Sequence, residues 1–369
     1  MAGIYIHVPF CKQKCTYCDF ASFPKEIGKA DSYFACLYRE IAGRAKQYEG
    51  KTFDTVYIGG GTPSFVDSKF IMGALRQVKK CFKLAENPEI TIEINPGTVD
   101  EKKIKDYKSV GINRFSIGLQ TGYDAQLKRL NRAHTAKDFL LCCNMLKGEN
   151  ISADVLIGLH DQTAEEVRKT VDLAIAGGVK HISIYALTAE VGTPIYTDYL
   201  NGELLSDDQT ADIYDDVRAY LQTKGFNRYE VSNFAMEGFE SKHNLNYWKR
   251  GEYIGVGVSA SSFMDGRRFT NTFKVDEYIN AVIYNKNPEI SSDVIEGDDE
   301  KFEFIMLGLR TADGISVDEY RKLFGEDFDE EYKSILNKKS QFLIRENGRL
   351  KIKDEYLYVQ NDIILAFMK

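Results

Sequence analysis

Residues 5–18 read Tyr5-Ile6-His7-Val8-Pro9-Phe10-Cys11-Lys12-Gln13-Lys14-Cys15-Thr16-Tyr17-Cys18. The β-branched run Ile4–Val8 predicts a strand, and Pro9, which lacks an N–H for the ladder, ends it. Three cysteines follow at C-x3-C-x2-C spacing, so a single short loop carries three thiolates. Iron–sulfur clusters are held at such close spacings, because one loop must wrap several corners of a compact cube. Three ligands leave one iron of a four-iron cluster without a protein bond. Such an iron can take the amino and carboxylate groups of a methionine moiety and pass an electron into its sulfonium bond. Structural zinc is the alternative reading. It normally needs four ligands in paired C-x2-C spacings, and no second pair is present.

The chain has seven cysteines, an odd number, and no secretion signal, so a disulfide framework is not expected. Cys36, Cys81, Cys142 and Cys143 lie among apolar, helix-like neighbours and read as packing residues. Met1–Phe10 has no basic n-region or small-residue cleavage site, and no run of 18 apolar residues occurs, so a cytoplasmic protein is expected. Hydrophobic residues at 43% and charged residues at 28% exclude fibrous and largely disordered classes. A net charge of −7 without a block of like charges argues against a nucleic-acid partner.

Working outward from the first strand, further short apolar runs recur at Thr55–Ile58, Ile90–Ile94, Arg114–Ile117, Ala153–Ile157 and His181–Tyr185. Helical periodicity separates them at Ser32–Arg44, Phe70–Cys81, Glu101–Val110, Ala136–Leu146 and Glu165–Ala176, with Gly111, Gly148 and Gly177 as stops. Strands alternating with helices predict an α/β fold with a parallel sheet, and six such units predict a partial (β/α)6 barrel over residues 1–235. A helix at Asp207–Thr223 and a strand at Tyr229–Phe234 extend the pattern. Residues 236–290 read as a connecting region, with a linker from about Tyr284 through the acidic stretch Glu296–Glu300. Residues 291–369 show helices at Lys301–Arg310, Val317–Phe324 and Asp329–Lys338. A hairpin around Glu346-Asn347-Gly348 follows, and together they predict a C-terminal helical, winged-helix-like domain. Its acidic composition favours a structural or covering role over nucleic-acid binding.

Polar residues gather where the strands end. Gly59-Gly60-Gly61-Thr62-Pro63 follows the second strand, and consecutive glycines let backbone groups approach a ligand. Glu93, Gln120 and Asp154 interrupt apolar runs, and buried polar groups need partners. A parallel barrel presents the carboxyl ends of its strands as one rim, where active sites form, so these residues are expected to share that rim with the cysteine loop. In this order and spacing the chain resembles the radical S-adenosylmethionine (SAM) superfamily, and specifically its coproporphyrinogen oxidase-like branch. The likeness begins at Tyr5–Cys11 and covers nearly the whole chain. The resemblance implies a [4Fe–4S] cluster on Cys11, Cys15 and Cys18, and SAM along the rim. Gly60, Gly61 and Thr62 would meet its methionine amino group, and Glu93 and Asp154 its ribose and surroundings. Gln120 and Arg132 match further SAM contacts, and Tyr5 and Ala186 match peripheral ones.

The branch divides into oxygen-independent coproporphyrinogen III oxidases and HemW-type heme chaperones. The oxidases have a long extension before the first strand and a further Cys two places after the triplet. This chain begins at the strand and has Phe20 there, so the carrier is the preferred reading and the decarboxylase the alternative. The block Lys301–Arg310 is common to both groups. His243-Asn244-Leu245-Asn246-Tyr247-Trp248 matches the H-N-x-x-Y-W signature of the chaperones, and implies heme with His243 as a candidate axial ligand. His7, His134, His160 and His181 remain other candidates. Heme-acceptor proteins such as respiratory enzymes are the implied partners. Membrane contact is expected to be peripheral at most, since no amphipathic basic helix is present. A third class, a radical SAM enzyme with an unrelated organic substrate, also stays open.

Overall fold

The computed structural model describes residues 1–369. Six strands, β1 (Ala2–Val8), β2 (Thr52–Gly60), β3 (Lys83–Ile94), β4 (Arg114–Gln120), β5 (Asn150–Ile157) and β6 (His181–Ala186), lie side by side in chain order. Every neighbouring pair is parallel. Parallel strands need crossovers, and helices supply them: α1 (Ala30–Gln47), α2 (Ser68–Cys81), α3 (Glu101–Ser109), α4 (Asp124–Arg129), α5 (Ala136–Met145) and α6 (Ala164–Ala176). The predicted helices and strands of this half are all found, most of them lengthened or trimmed by a few residues, while β3 starts well before the predicted Ile90, at Lys83.

The pleat sorts the side chains. Ile4, Ile6 and Val8 of β1, with Val56 and Ile58 of β2, join the apolar core shared with the helices. Gly3, Tyr5, His7, Thr55 and Tyr57 take the opposite, inner face, where Tyr5 stacks on Tyr57 and Gly3 lies against the His243 ring. On α2, Ile71, Ala74, Leu75 and Val78 recur at helical spacing and are buried. Each fully buried Ile, Leu or Val contributes about 1.5–3 kcal/mol, so this layer dominates the fold's stability. Thr135 with Asp138 and Thr163 with Glu166 form capping boxes that fix the starts of α5 and α6.

The sheet does not stop at six strands. Beyond β6 it continues antiparallel through β7 (Asn227–Arg228) and β8 (Asn233–Ala235), with β8 next to β6. Beyond β1 it continues through β9 (Glu252–Val256), parallel to β1, and antiparallel β10 (Ser261–Met264), β11 (Arg267–Asn271) and β12 (Glu289–Val294). β12 and β7 are its two free edges, so the barrel is open. The lower, N-terminal end of the strands is crossed by residues 239–248. Lys242 N and His243 N donate to the Glu89 carboxylate at 3.2 and 3.0 Å, and Arg114 Nη1 donates to the Phe239 carbonyl at 2.9 Å.

Three expectations change. Tyr229–Phe234 is not one strand: buried Glu230 accepts from Ser232 N at 3.0 Å and turns the chain between β7 and β8. The stretch after Tyr284 is not a free linker, because it holds β12, where Glu289 bonds Arg44 at 2.7 Å and Arg267 at 2.5 Å. Its acidic end opens the helix Gly297–Gly308, where Asp298, Asp299 and Glu300 favour the positive end of the helix dipole. Asp329–Lys338 divides at Tyr332 into Phe328–Glu331 and Lys333–Lys338. Residues 236–290 carry β9–β11 and the helices Lys242–Trp248 and Val275–Ile283. The C-terminal helices pack with a three-stranded sheet of Ile315–Ser316, Arg349–Ile352 and Leu343–Glu346. Glu303 ties them to the barrel through Arg250 and Arg268. No helix is long and apolar enough to cross a membrane.

Candidate functional site

The carboxyl ends of β1–β6 surround a cavity of about 510 Å³. Cys11, Cys15, Cys18, Gly60, Gly61, Thr62, Glu93, Gln120, Arg132, Asp154 and Ala186 all line it. Residues separated by up to 175 positions thus meet on one rim, where a parallel barrel places its chemistry.

The cysteine loop is tied down from both sides. Gly61 N donates to the Val8 carbonyl at 2.9 Å and Thr62 N to the Phe10 carbonyl at 2.8 Å, which zips the glycine loop to the start of the cysteine loop. Thr16 N donates to the Leu130 carbonyl, and Ile195 N to the Thr16 carbonyl, both at 3.1 Å. The glycine run has a steric cause. Gly60 has φ 113°, a conformation L-residues rarely adopt, and a Cβ there would stand 2.6 Å from the His7 ring. A Cβ on Gly61 would stand 2.9 Å from Cys11 Sγ.

Each thiol has a polar neighbour. Thr62 Oγ1 donates to Cys11 Sγ at 3.4 Å, Arg132 Nη1 to Cys15 Sγ at 3.5 Å, and Ser22 Oγ lies 3.7 Å from Cys18 Sγ. Burial pushes the Cys11 and Cys18 thiols up. Bound metal ions favour the thiolate against that burial, so this donor set fits a cationic cluster. Arg132 is spread across the rim: Nη2 donates to Asn95 Oδ1 at 2.7 Å and to the Gly118 carbonyl at 2.9 Å. Its Nε is buried without a partner, a donor left for an anionic group such as a carboxylate.

Opposite stand two carboxyls. Tyr57 OH donates to Glu93 Oε1 at 2.9 Å and Gly60 N to Oε2 at 3.1 Å. Burial, followed by the charge of Asp154, still raises Glu93 to about 7. Asp154 is raised by burial too, against Ser183, Ser116 and the charges of Arg132 and Arg114. A cationic ligand between them relieves both, which suits an ammonium or sulfonium group. Gln120 closes β4 with φ 68°, at a register shift between β4 and β5. Such backbone costs on the order of 1–3 kcal/mol and clusters at functional sites.

Two expected residues lie elsewhere. Tyr5 does not line this cavity; its OH lies 3.0 Å from His7 Nδ1, and it borders an adjoining cavity. His243 sits beneath, 1% exposed, on the floor formed by residues 239–248. Its Nδ1 is 2.7 Å from Thr55 Oγ1, its Nε2 is 2.8 Å from Tyr247 OH, and its ring stacks on Tyr57. Burial lowers its pKa to about 3, so the ring is neutral, but as placed it has no nitrogen free for a heme iron. The other histidines do not enter the rim cavity either: His160 pairs with Asp198 at 2.9 Å and His181 with Tyr229 OH at 2.7 Å. His134 borders a small neighbouring hollow, and His7 the adjoining cavity.

Among the lining residues that the sequence reading does not single out are Tyr57, Asn95 and Tyr185. Strand parity with Gly59 points to Tyr57, and Asn95 lies two residues after Glu93, directly beyond the end of β3. Asn95 Nδ2 donates to Thr62 Oγ1 at 2.8 Å, joining the glycine loop to Arg132.

Residues 5–174 match the family model of the radical SAM superfamily, and residues 295–360 that of the HemN C-terminal domain. The chain is similar over its whole length to the coproporphyrinogen III oxidase HemN of Escherichia coli, with a TM-score of 0.88, 19% identity and 90% of that chain covered. That likeness concerns the fold. A protein named Heme chaperone HemW from Lactococcus lactis subsp. lactis (strain IL1403) is 32% identical, covering 99% of this chain and 96% of the relative. A protein of the same name from Escherichia coli (strain K12) is 35% identical, covering 84% of this chain and 82% of the relative. With such identity sustained across both the barrel and the C-terminal segment, the chain belongs to the HemW family within the radical SAM superfamily.

Proposed function

We propose that this protein is a heme chaperone: it binds heme and delivers it to acceptor proteins such as respiratory enzymes, and does not decarboxylate coproporphyrinogen. Cys11, Cys15 and Cys18 hold a [4Fe–4S] cluster. Gly60, Gly61, Thr62, Glu93, Gln120, Arg132, Asp154 and Ala186 hold SAM beside it, with Tyr5 at the periphery. The observation that carries the cofactor reading is the convergence of three thiols, a glycine cradle, an orphaned guanidinium nitrogen and two burial-raised carboxyls on one cavity. When bound, a cluster of this kind supplies single electrons to a sulfonium ligand. The protein's own residues do the rest. The glycine loop brings backbone groups to the ligand, Arg132 offers Nε to its carboxylate, and Glu93 and Asp154 balance its positive charge. Heme carriage rests on the likeness to relatives named Heme chaperone HemW and on the H-N-x-x-Y-W motif. Phe20, where the oxidases have a further cysteine, supports carriage over decarboxylation. The protein acts in the cytoplasm, with no nucleic-acid partner and at most peripheral contact with a membrane.

The test is anaerobic cluster reconstitution, followed by heme titration and coproporphyrinogen turnover on the same sample. The expected result is a Soret band that saturates with heme, and no protoporphyrinogen with SAM and reductant present. Protoporphyrinogen formation would establish the oxidase reading instead, and absence of heme binding would return the chain to an unassigned radical SAM protein.

A further inference from the structure

A second cavity, of about 820 Å³, lies against the first. Lys14, Asp19, Phe20, Gly60 and Glu93 line both, so a single partition separates the cofactor rim from a neighbouring chamber. The chamber's character differs. Phe20, Phe23, Tyr247, Tyr253, Phe263 and Phe273, together with Tyr5, give it seven phenyl and phenol rings. Phe20 and Phe273 are 63% and 55% exposed, large apolar surfaces left facing solvent at a cavity. The remaining wall carries two guanidiniums. Arg250 and Arg268 lie over the Phe263 ring at 5.0 and 5.1 Å, and both bond Glu303. Arg250 Nη2 is buried with no acceptor. An amide or guanidinium donor left so inside a protein calls for a partner, and a carboxylate meets a guanidinium with charge-assisted bonds.

We infer that this aromatic chamber is the seat of a flat macrocycle bearing carboxylates, with the ring body against Phe20, Phe263 and Phe273 and the carboxylates toward Arg250 and Arg268. The inference rests on the reading of the chain as a heme carrier, and it locates that heme. It also gives the H-N-x-x-Y-W motif a division of labour. Tyr247 faces the chamber, Trp248 lines a separate hollow against the C-terminal helices, and His243 holds Tyr247 from below. Phe20 acquires a role as well: the position that carries a thiol in the oxidases here supplies a ring on the wall between cofactor and cargo. Aromatic faces cover a planar ring system over a large area, and a smaller polar ligand would leave these rings uncovered.

The experiment is a Soret titration of the full-length protein with hemin and with hemin dimethyl ester, which lacks free carboxylates. The proteins compared are wild type, Arg268→Gln, and the double variant Phe20→Ser/Phe273→Ser, whose exposed positions leave the core intact. Circular dichroism checks the fold of each. The double variant is expected to bind hemin about tenfold or more weakly, in line with loss of two aromatic contacts. Wild type is expected to prefer hemin over the ester by about tenfold, and Arg268→Gln to lose that preference while binding the ester normally. Wild type that binds no hemin would overturn the carrier reading and the seat together. Hemin binding that is unchanged within twofold in both variants, with no discrimination against the ester, would place the heme elsewhere and leave the carrier reading standing.

Discussion

Replacing Glu93 with Gln isolates the electrostatic state of the rim. In the protein without ligands, burial and Asp154 raise this carboxyl from 4.5 to about 7, even though Tyr57 and Gly60 donate to it. The folded chain therefore keeps a proton that the unfolded chain has released between those two values. Stability falls as pH rises through that window, and the cost is complete above about pH 7. At 1.36 kcal/mol per pKa unit, the shift corresponds to about 3 kcal/mol, most of which develops between pH 5 and pH 8. Glu93→Gln removes this titration and loses at most one hydrogen bond, a pH-independent change of about 1 kcal/mol. Urea unfolding of cluster-free wild type and variant at pH 5 and pH 8 separates the two effects, because the hydrogen-bond change cancels in the difference between pH values. Wild type should lose about 2–3 kcal/mol more than the variant over that interval. Parallel pH profiles would show that Glu93 is not held near neutrality. The same carboxylate should matter in the opposite sense when a cationic ligand is present. SAM affinity in the reconstituted protein should improve as pH rises through about 7 in wild type and stay flat in Glu93→Gln, as calorimetry can measure.

Simultaneous Cys→Ala replacement at Cys11, Cys15 and Cys18 should abolish the cluster's absorption and Mössbauer signals, and an undiminished signal would move the cluster elsewhere. Gly60→Ala should destabilise the chain by about 2–4 kcal/mol, since it combines a positive φ with a clash against His7. A melting temperature within 2 °C of wild type would refute that geometry. His243→Ala empties a floor position and strips partners from Thr55 and Tyr247, so a loss of about 2–4 kcal/mol in urea unfolding is expected. Unchanged stability would show that His243 is not the packed floor residue described above.

The parallel half of the fold is legible because each unit repeats one signal, a short β-branched run and then an amphipathic helix. The second half hides for physical reasons. Strands β9–β11 are four or five residues long and joined by tight turns, so no periodicity accumulates. β12 is mostly exposed and polar, and it reads as linker because Glu289 is held by arginines far away in sequence. At the site, the cysteines and glycines announce themselves through spacing, whereas Tyr57, Asn95 and Tyr185 are ordinary residues until the pleat and the strand ends place them. His243 shows the converse. A short motif marks it, but burial and two hydrogen-bond partners, which no spacing encodes, decide what it can touch.

A ring of strands that closes on itself has a girth fixed by its ladder, since every hydrogen bond constrains the circumference. This ring has two free edges at β7 and β12, and its lower end is spanned by the crossing at residues 239–248. Its width is therefore set by what fills it: the rings of Tyr5, Tyr57 and His243, and the Arg114 side chain reaching Phe239. The inward-facing side chains and that crossing can therefore change while the strand order stays the same. The ladder itself need not be rebuilt, and the cysteine loop keeps its place on β1 throughout.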